Sequence, residues 1–191
     1  MTSADLIEEI KSTTNNNLEL IRSRFLKLSE EQKKWKVNDA SWNVNEIFAH
    51  LNQFAIYYQL TFKIKIARTK FKTPSESFIS SPLGRSVWSS MKLGNAHNVK
   101  RKMKAVKSYN PLFDSSLVKG NDVEEFEKNL LDMQDIIESS KKVNLRKIKI
   151  PISISKLIRL KLGDAFLFVV YHNERHLQQA LNLVNNPNFP K

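Results

Sequence analysis

Four long segments of this chain repeat apolar residues three and four positions apart, which is the spacing of one face of an α-helix. The segments are residues 6–28, 47–57, 123–137 and 165–183. Glycine and proline, which interrupt helices, supply only 4 and 6 of the 191 residues. The periodicity predicts an all-α protein, and the length suits a single domain over residues 1–191.

Two helix starts carry a recognisable capping signal. Ser29 is followed three positions later by Gln32, and Asn43 is followed by Glu46. In this capping-box pattern each side chain binds a free backbone N–H group of the first helical turn. The sequence therefore gives Glu46 a structural role as a helix cap. Residues 121–122, Asn-Asp, are predicted to cap the third long helix in the same way.

The connections between the periodic segments are less regular. Residues 75–120 show little pattern apart from a basic, helix-compatible piece at 98–107, and a crossover of this length is typically functional or partly helical. We expect a lid there. Residues 141–154 are β-branched and basic, which predicts an irregular or extended connection with room for a short strand. Four long helices joined by one long crossover, between helices two and three, predict a four-helix bundle.

Several classes of protein are excluded or disfavoured by composition. The chain has no cysteine, so disulfides, Cys-ligated zinc and a protein thiol nucleophile are excluded. Any metal must be held by histidine, carboxylate or water. The first ten residues lack the features of a secretory signal, and the longest apolar run, residues 165–171, is too short for a membrane span. We expect a soluble, cytoplasmic protein.

The chain is strongly basic, with 31 Lys+Arg against 19 Asp+Glu and a formal net charge of +12. Such a charge raises the question of nucleic-acid or anionic-membrane partners. The basic residues are spread over residues 63–72, 100–107 and 141–161, and no aromatic-interleaved RNA motif or zinc-finger spacing accompanies them. A solvated basic surface is the favoured interpretation. A non-enzymatic protein that binds nucleic acid or another anionic partner is the alternative.

Three of the four histidines lie on predicted apolar faces. His172 and His176 are four apart on the core-facing stripe of the last helix, a spacing that suits two ligands on one metal. His50 lies on the apolar stripe of the second long helix. Across a bundle, three neutral imidazoles can converge and leave a position open to water, which suits Zn, Ni, Co or Fe. The competing interpretation is that the three histidines are hydrogen-bonded core residues that bind no metal. Convergence of all three on one point favours the metal site.

Three further polar residues are candidates for roles at such a site. Gln179, one turn beyond His176, has two possible roles: it orients a metal ligand, or it is the polar residue at the end of the core-facing stripe of the last helix. The sequence leaves both open. Glu174 is two positions from His172 and therefore off the metal-facing side, so it is not assigned as a general base. His97, the fourth histidine, lies in the crossover and is predicted to be a surface residue.

Two stretches together resemble a known family. Residues 42–51, Trp-Asn-Val-Asn-Glu-Ile-Phe-Ala-His-Leu, resemble the Trp-Ser-x-x-Glu-hydrophobic-x-x-His-Leu signature of the DinB-like (YfiT-like) superfamily. Residues 172–179, His-Asn-Glu-Arg-His-Leu-Gln-Gln, resemble its second signature, His-x-x-Arg-His followed by Gln. Asn43 stands where the family has Ser or Thr, a change that preserves capping. The order and helix placement agree along nearly the whole chain.

The resemblance implies a fold, a cofactor and a range of reactions. It implies an up-down-down-up four-helix bundle that binds a divalent metal, most often nickel or zinc, through His50, His172 and His176. The family includes S-transferases that use low-molecular-weight thiols, a thiol-dependent isomerase and many proposed metal-dependent hydrolases. A metal-dependent transferase or hydrolase acting on a small molecule, such as a low-molecular-weight thiol, is therefore expected. The substrate, the catalytic acid or base and a homodimeric state stay open, as does a scaffold that keeps the metal only for stability.

Overall fold

A computed structural model describes residues 1–94 and 105–191 as a mostly helical chain with one small antiparallel sheet. The helices are α1 Ser3–Leu20, α2 Glu30–Lys34, α3 Val44–Arg68, α4 Pro82–Met91, α5 Asp122–Ser140 and α6 Leu162–Val184, and the strands are β1 Lys149–Ile152 and β2 Ser155–Lys161. A π-helical turn, Ile21–Phe25, extends α1. Within this described part, none of the helices combines the length and the apolar character that a membrane span requires.

Both predicted capping boxes are confirmed. Ser29 and Gln32 cap α2 reciprocally. At the start of α3, Asn43 Oδ1 accepts from the backbone N–H of Glu46 at 2.8 Å, and Glu46 Oε2 accepts from the backbone N–H of Asn43 at 2.9 Å. The other carboxylate oxygen of Glu46 pairs with Lys36 at 2.7 Å. Glu46 is thus fully used in fixing the entry to α3, the helix that carries His50.

The predicted start of α5 is right, but its cap differs from the prediction. Asn121 makes no side-chain capping bond, because its backbone (φ −107°, ψ 31°) lies outside the extended conformation that capping requires. Asp122 instead turns its carboxylate back toward the preceding loop. There Oδ2 accepts from the backbone N–H groups of Lys119 and Gly120, both at 3.0 Å.

The four long helices pack through the apolar faces that the periodicity predicts. α3 packs against α5 and α6, and α1 packs against the same two helices. The buried side chains of these faces include Leu6, Ile10, Phe25, Ile47, Phe54, Phe126, Leu130, Ile137, Ala165 and Val169. His50 and His172 lie within this core, with 5% and 6% of their surface exposed.

Helix α4 lies inside the crossover for which the sequence pattern was weak. Ser81 caps it by accepting from the backbone N–H of Gly84 at 3.0 Å, and Pro82 occupies its first position. The Ser-Pro pair is an ordinary helix-start signal that can be identified in the sequence. α4 packs on α6, where Ser81 donates both its N–H and its O–H to Asp164 Oδ2 at 3.1 Å. Most of the predicted basic piece at 98–107 falls outside the described residues.

The connection between α5 and α6 is a β-hairpin, more regular than the extended segment with a short strand that was expected. Ile150 and Leu160 are fully buried on its inner side. The hairpin is held to α3 by two tyrosines: Tyr57 donates its O–H toward Pro151 O at 3.3 Å, and Tyr58 Oη accepts from the backbone N–H of Ser153 at 3.1 Å. The hairpin end therefore lies beside the part of α3 about two turns beyond His50.

Candidate metal centre

His50 from α3 meets His172 and His176 from α6 in the interior. Each ring offers a nitrogen within 4.8 Å of the other two. The Nε2 atoms of His50 and His172 are 3.2 Å apart, and the ring centroid of His176 is 4.6 Å from each of the other two. Two nitrogens bound tetrahedrally to one zinc at about 2.0–2.1 Å are about 3.3 Å apart. His50 and His172 already stand at that spacing.

Hydrogen bonds to the outer nitrogens fix the tautomer of two of the rings. His50 Nδ1 lies 2.6 Å from the backbone carbonyl oxygen of Tyr109, and His176 Nδ1 lies 3.0 Å from Oε1 of Gln179. Carbonyl and amide oxygens only accept, so in both neutral rings Nδ1 carries the proton and the lone pair is on Nε2. An outer partner of this kind is what orients ligand histidines in metal sites.

The ring of His172 is held by packing, whereas the other two rings are held by hydrogen bonds to Nδ1. Its ring stacks on Phe54, with centroids 3.9 Å apart and planes 14° from parallel. Its Nδ1 is buried, and no described residue makes a hydrogen bond to it. Its Nε2 faces the Nε2 lone pair of His50. The 3.2 Å between the two atoms suits either an N–H that His172 donates to His50 or a cation that both nitrogens share.

Burial keeps these imidazoles neutral. It lowers the pKa of His50, an effect that the hydrogen bond to Tyr109 partly opposes. It lowers the pKa of His172 and His176 well below the usual value, and the nearby histidines and Arg175 add to the effect because a second positive charge there is unfavourable. At neutral pH the three rings are therefore in the form that binds metal.

Aromatic rings surround the three histidines. The Trp42 ring centroid is 5.0 Å from that of His50 and 5.9 Å from that of His176, on which it stacks. Trp42 is held in turn by its indole N–H, which donates to Asn110 Oδ1 at 3.1 Å. The first residue of the Trp-x-x-x-Glu stretch thus packs on two of the proposed ligands. The rings exclude water and lower the local dielectric constant.

A cavity of about 840 Å³ adjoins the histidines. Its wall includes Trp42, Phe54, Phe168 and Ile154, together with Arg175 from α6. None of the described lining residues is acidic. A volume of this size suits a small organic molecule.

The structure brings together the three histidines that the sequence singles out, and it places Gln179 beside His176. Glu174, which the helical spacing places off the metal-facing side, is not among the residues that line the cavity. His97 lies outside the described residues, so its predicted surface position stays a prediction. Sequence reasoning missed the carbonyl of Tyr109, because every residue has a backbone carbonyl and nothing in the sequence marks one as a partner. It also missed Arg175, which lies inside the quoted motif.

Comparison with protein-family models, curated proteins and solved structures yields no match. The resemblance to the DinB-like superfamily therefore depends on the two sequence motifs alone.

Proposed function

We propose that this chain is a divalent-metal-dependent enzyme of the DinB-like superfamily that acts on a small molecule by thiol S-transfer or hydrolysis. One observation carries the proposal: His50, His172 and His176 converge as neutral imidazoles, two of them buried and His176 half-buried, around a common point. Three imidazole nitrogens suit nickel or zinc better than a hard cation such as magnesium. An ion held there would lower the pKa of a bound thiol or water and polarise a carbonyl.

The residues around the histidines favour an anionic or polarised substrate. The described part of the cavity wall holds Arg175 and no carboxylate, so a thiolate or a developing oxyanion meets positive charge and no repulsion. Burial raises the pKa of the cavity residue Tyr58 to about 12. Its phenol therefore stays protonated. Its oxygen accepts from Ser153, and no described residue accepts the O–H, which leaves that proton for a ligand.

The proposed bundle also has structural support. α1 and α3 each pack on both α5 and α6, which is the neighbour pattern of four helices arranged in a ring. The up-down-down-up order, the cytoplasmic location and a homodimer stay predictions. The competing candidate is a non-enzymatic protein in which the ion only joins α3 to α6.

Metal content is the direct test. Protein purified without a histidine tag should carry, or take up, one nickel or zinc ion per chain. His50→Ala, His172→Ala and His176→Ala should each weaken binding by more than about 100-fold, because each removes a ligand bond. His97→Ala is the matched control, since His97 lies outside both histidine motifs. Protein unable to take up either ion would refute the proposal.

Activity separates the enzyme from the scaffold. The metal-loaded protein should accelerate either the reaction of a low-molecular-weight thiol with an electrophile or the hydrolysis of an activated ester or amide. His50→Ala should lose that rate. Tyr58→Phe, which keeps the ring and removes the O–H, should lower the rate while leaving metal content unchanged. A metal-loaded protein inactive toward both substrate classes would support the scaffold.

A further inference from the structure

Two segments of the chain combine many basic residues with no acidic ones. Residues 141–161 contain eight lysines and arginines and no Asp or Glu, and residues 63–72 contain five and none. Scattered surface lysines are usually interspersed with carboxylates, which cancel their field. Lys63 and Lys141, the first residues of the two segments, pair with Asp132 and Glu138 of α5. The basic side chains beyond them attract anions over a distance set by the ionic strength.

The fold brings the two segments together. The backbone N–H of Asn144 donates to the carbonyl of Phe71 at 3.0 Å. The ammonium groups of Lys70 and Lys147 both lie over the Phe71 ring, 5.7 and 5.4 Å from its centroid. Lysines far apart in sequence therefore share one small area, which continues along the chain into β1.

The β1–β2 hairpin concentrates positive charge further. Lys149 stands directly opposite Lys161, and Arg159 is two pairs further along, opposite Pro151. Like charges directly opposite each other destabilise a sheet. Among the described residues, no carboxylate forms an ion pair with Lys149, Arg159 or Lys161. Lys161 Nζ instead donates a hydrogen bond to the backbone carbonyl oxygen of Ile79 at 2.6 Å.

The hairpin register then shifts near its tip. Pro151 pairs with Arg159, whereas the next residue, Ile152, pairs with Ser155. Leu157 and Ile158 lie in this shifted part of β2, which we call the bulge. Bulges redirect side chains away from the regular sheet.

The bulge and the turn beside it expose large aliphatic side chains. Leu157 is 93% exposed, Ile154 is 65% exposed and Ile158 is 40% exposed. Single exposed apolar residues are ordinary, but three close together in a basic hairpin are the arrangement seen at interaction sites.

We propose that the β1–β2 hairpin docks this protein on an anionic lipid surface. Ile154 and Leu157 enter the interfacial layer, while Lys149, Arg159 and Lys161 contact the acidic headgroups. Basic side chains near the surface of an anionic leaflet and apolar side chains within its headgroup region each contribute to such binding. Both kinds of side chain are present on one hairpin.

The aliphatic side chains favour lipid over nucleic acid. Phosphates of DNA or RNA can pair with the lysines, but they make no favourable contact with Leu157 or Ile154. Single-stranded bases stack on aromatic rings and not on aliphatic side chains. An anionic lipid surface is the partner that interacts favourably with both the basic and the apolar side chains. The hairpin bulge carries no aromatic residue in positions 153–159.

Docking by the hairpin has a consequence for the cavity. Ile154 is exposed and also lines the cavity beside the histidines. A docked hairpin therefore brings the rim of this largely apolar cavity to the lipid surface, where the apolar part of a substrate would enter without crossing water. The docking surface itself does not depend on the metal site, and its test needs no metal.

The test is sedimentation of the full chain with vesicles. Vesicles of phosphatidylcholine mixed with phosphatidylserine should bind the protein at low salt and bind it less at high salt, whereas pure phosphatidylcholine should bind little. Lys149→Gln with Arg159→Gln should weaken binding about 25-fold, since each charge contributes about fivefold. Lys27→Gln with Lys34→Gln removes the same charge from two exposed lysines elsewhere and should have a smaller effect.

The apolar side chains provide the discriminating variant. Ile154→Ser with Leu157→Ser should weaken vesicle binding by about tenfold and leave any binding to duplex DNA or RNA unchanged. Ile56→Ser with Leu60→Ser, at exposed positions of α3 outside both basic segments, is the control and should bind vesicles like the wild type. Circular dichroism checks that all four double variants keep the fold.

A fluorescent label reports insertion directly. Because the chain has no cysteine, Leu157→Cys provides a single site for an environment-sensitive dye, and Leu60→Cys provides the control. The dye at position 157 should shift to shorter wavelength on anionic vesicles, and the dye at position 60 should not. Three results would each overturn the proposal: no binding to anionic vesicles at low salt, wild-type binding by the Ile154/Leu157 variant, or nucleic-acid binding without vesicle binding.

Discussion

At the scale of single residues, the ring of His176 is oriented by the neighbouring Gln179. The sequence left open whether Gln179 orients a ligand or ends the polar side of the helix. The structure places its Oε1 3.0 Å from Nδ1 of His176, which leaves Nε2 directed toward the other two histidines. Gln178, the adjacent glutamine, turns outward and donates to Asn182 at 2.9 Å on the exposed side of α6.

These two glutamines form a matched pair for mutation. Gln179→Ala should weaken nickel or zinc binding by about 10- to 100-fold, because His176 loses the acceptor that fixes its tautomer and orientation. Gln178→Ala should leave the affinity unchanged. Competition with a chromophoric chelator measures both. Gln179→Glu, which keeps an acceptor oxygen, should retain tight binding. Equal metal affinities for the wild type and Gln179→Ala would show that Gln179 does not orient His176 and is only the polar end of the core-facing stripe.

At the scale of elements, α4 is fastened to α6 through a close contact between Gly84 and Asp164. A Cβ on Gly84 would come within 2.1 Å of Asp164 Oδ2 and 2.7 Å of its Cβ. Asp164 is fully buried and cannot simply move aside, because Oδ2 accepts two hydrogen bonds from Ser81. Through this contact α4 covers one side of α6, and Val87 and Met91 reach the cavity wall.

Gly84→Ala should therefore destabilise the protein. In a free helix the change would gain about 1 kcal/mol of helix propensity. Here the overlap with a hydrogen-bonded carboxylate should outweigh that gain and leave a net loss of about 1–3 kcal/mol. Urea unfolding measures the difference. Ser86→Ala, at an exposed position of the same helix, should be neutral or slightly stabilising. A Gly84→Ala protein as stable as the wild type would contradict the close packing.

At the scale of the whole molecule, the proposed site joins two helices that are far apart in sequence. His50 and His172 are 122 positions apart, and α3 and α6 otherwise meet through apolar packing. A ligand that binds only the assembled site stabilises the folded state by an amount that grows with the logarithm of its concentration. Metal binding and global stability should therefore be coupled.

We expect zinc or nickel to raise Tm in proportion to the logarithm of the free metal concentration. At a free concentration about 1,000 times Kd the stabilisation should reach about 4 kcal/mol. A chelator should reverse it. Magnesium, which prefers oxygen ligands, is the control and should have no effect. Differential scanning calorimetry gives the result, and a Tm independent of zinc and nickel would count against a shared metal site.

The sequence by itself determined the features that depend on local chemistry. Helical periodicity located the four long helices, and the Asn43–Glu46 capping box was right because its partners are three residues apart. His172 and His176 were placed on one face by helix geometry alone. The start of α4 at Ser81-Pro82 was equally local. It was missed because α4 is only ten residues long and its apolar residues, Val87, Trp88 and Met91, lie between serine-rich and irregular stretches.

Only the tertiary structure decided the features that depend on contacts between distant segments. The carbonyl of Tyr109 on His50, the packing of Trp42 on two histidines and the approach of Gly84 to Asp164 have no local signature. The same holds for the two basic segments that meet at Phe71. Capping and periodicity arise from groups a few bonds apart along the chain, whereas these contacts exist only once packing has fixed where separate elements lie. The sequence therefore predicted which residues would face the core, and the fold decided which of them touch.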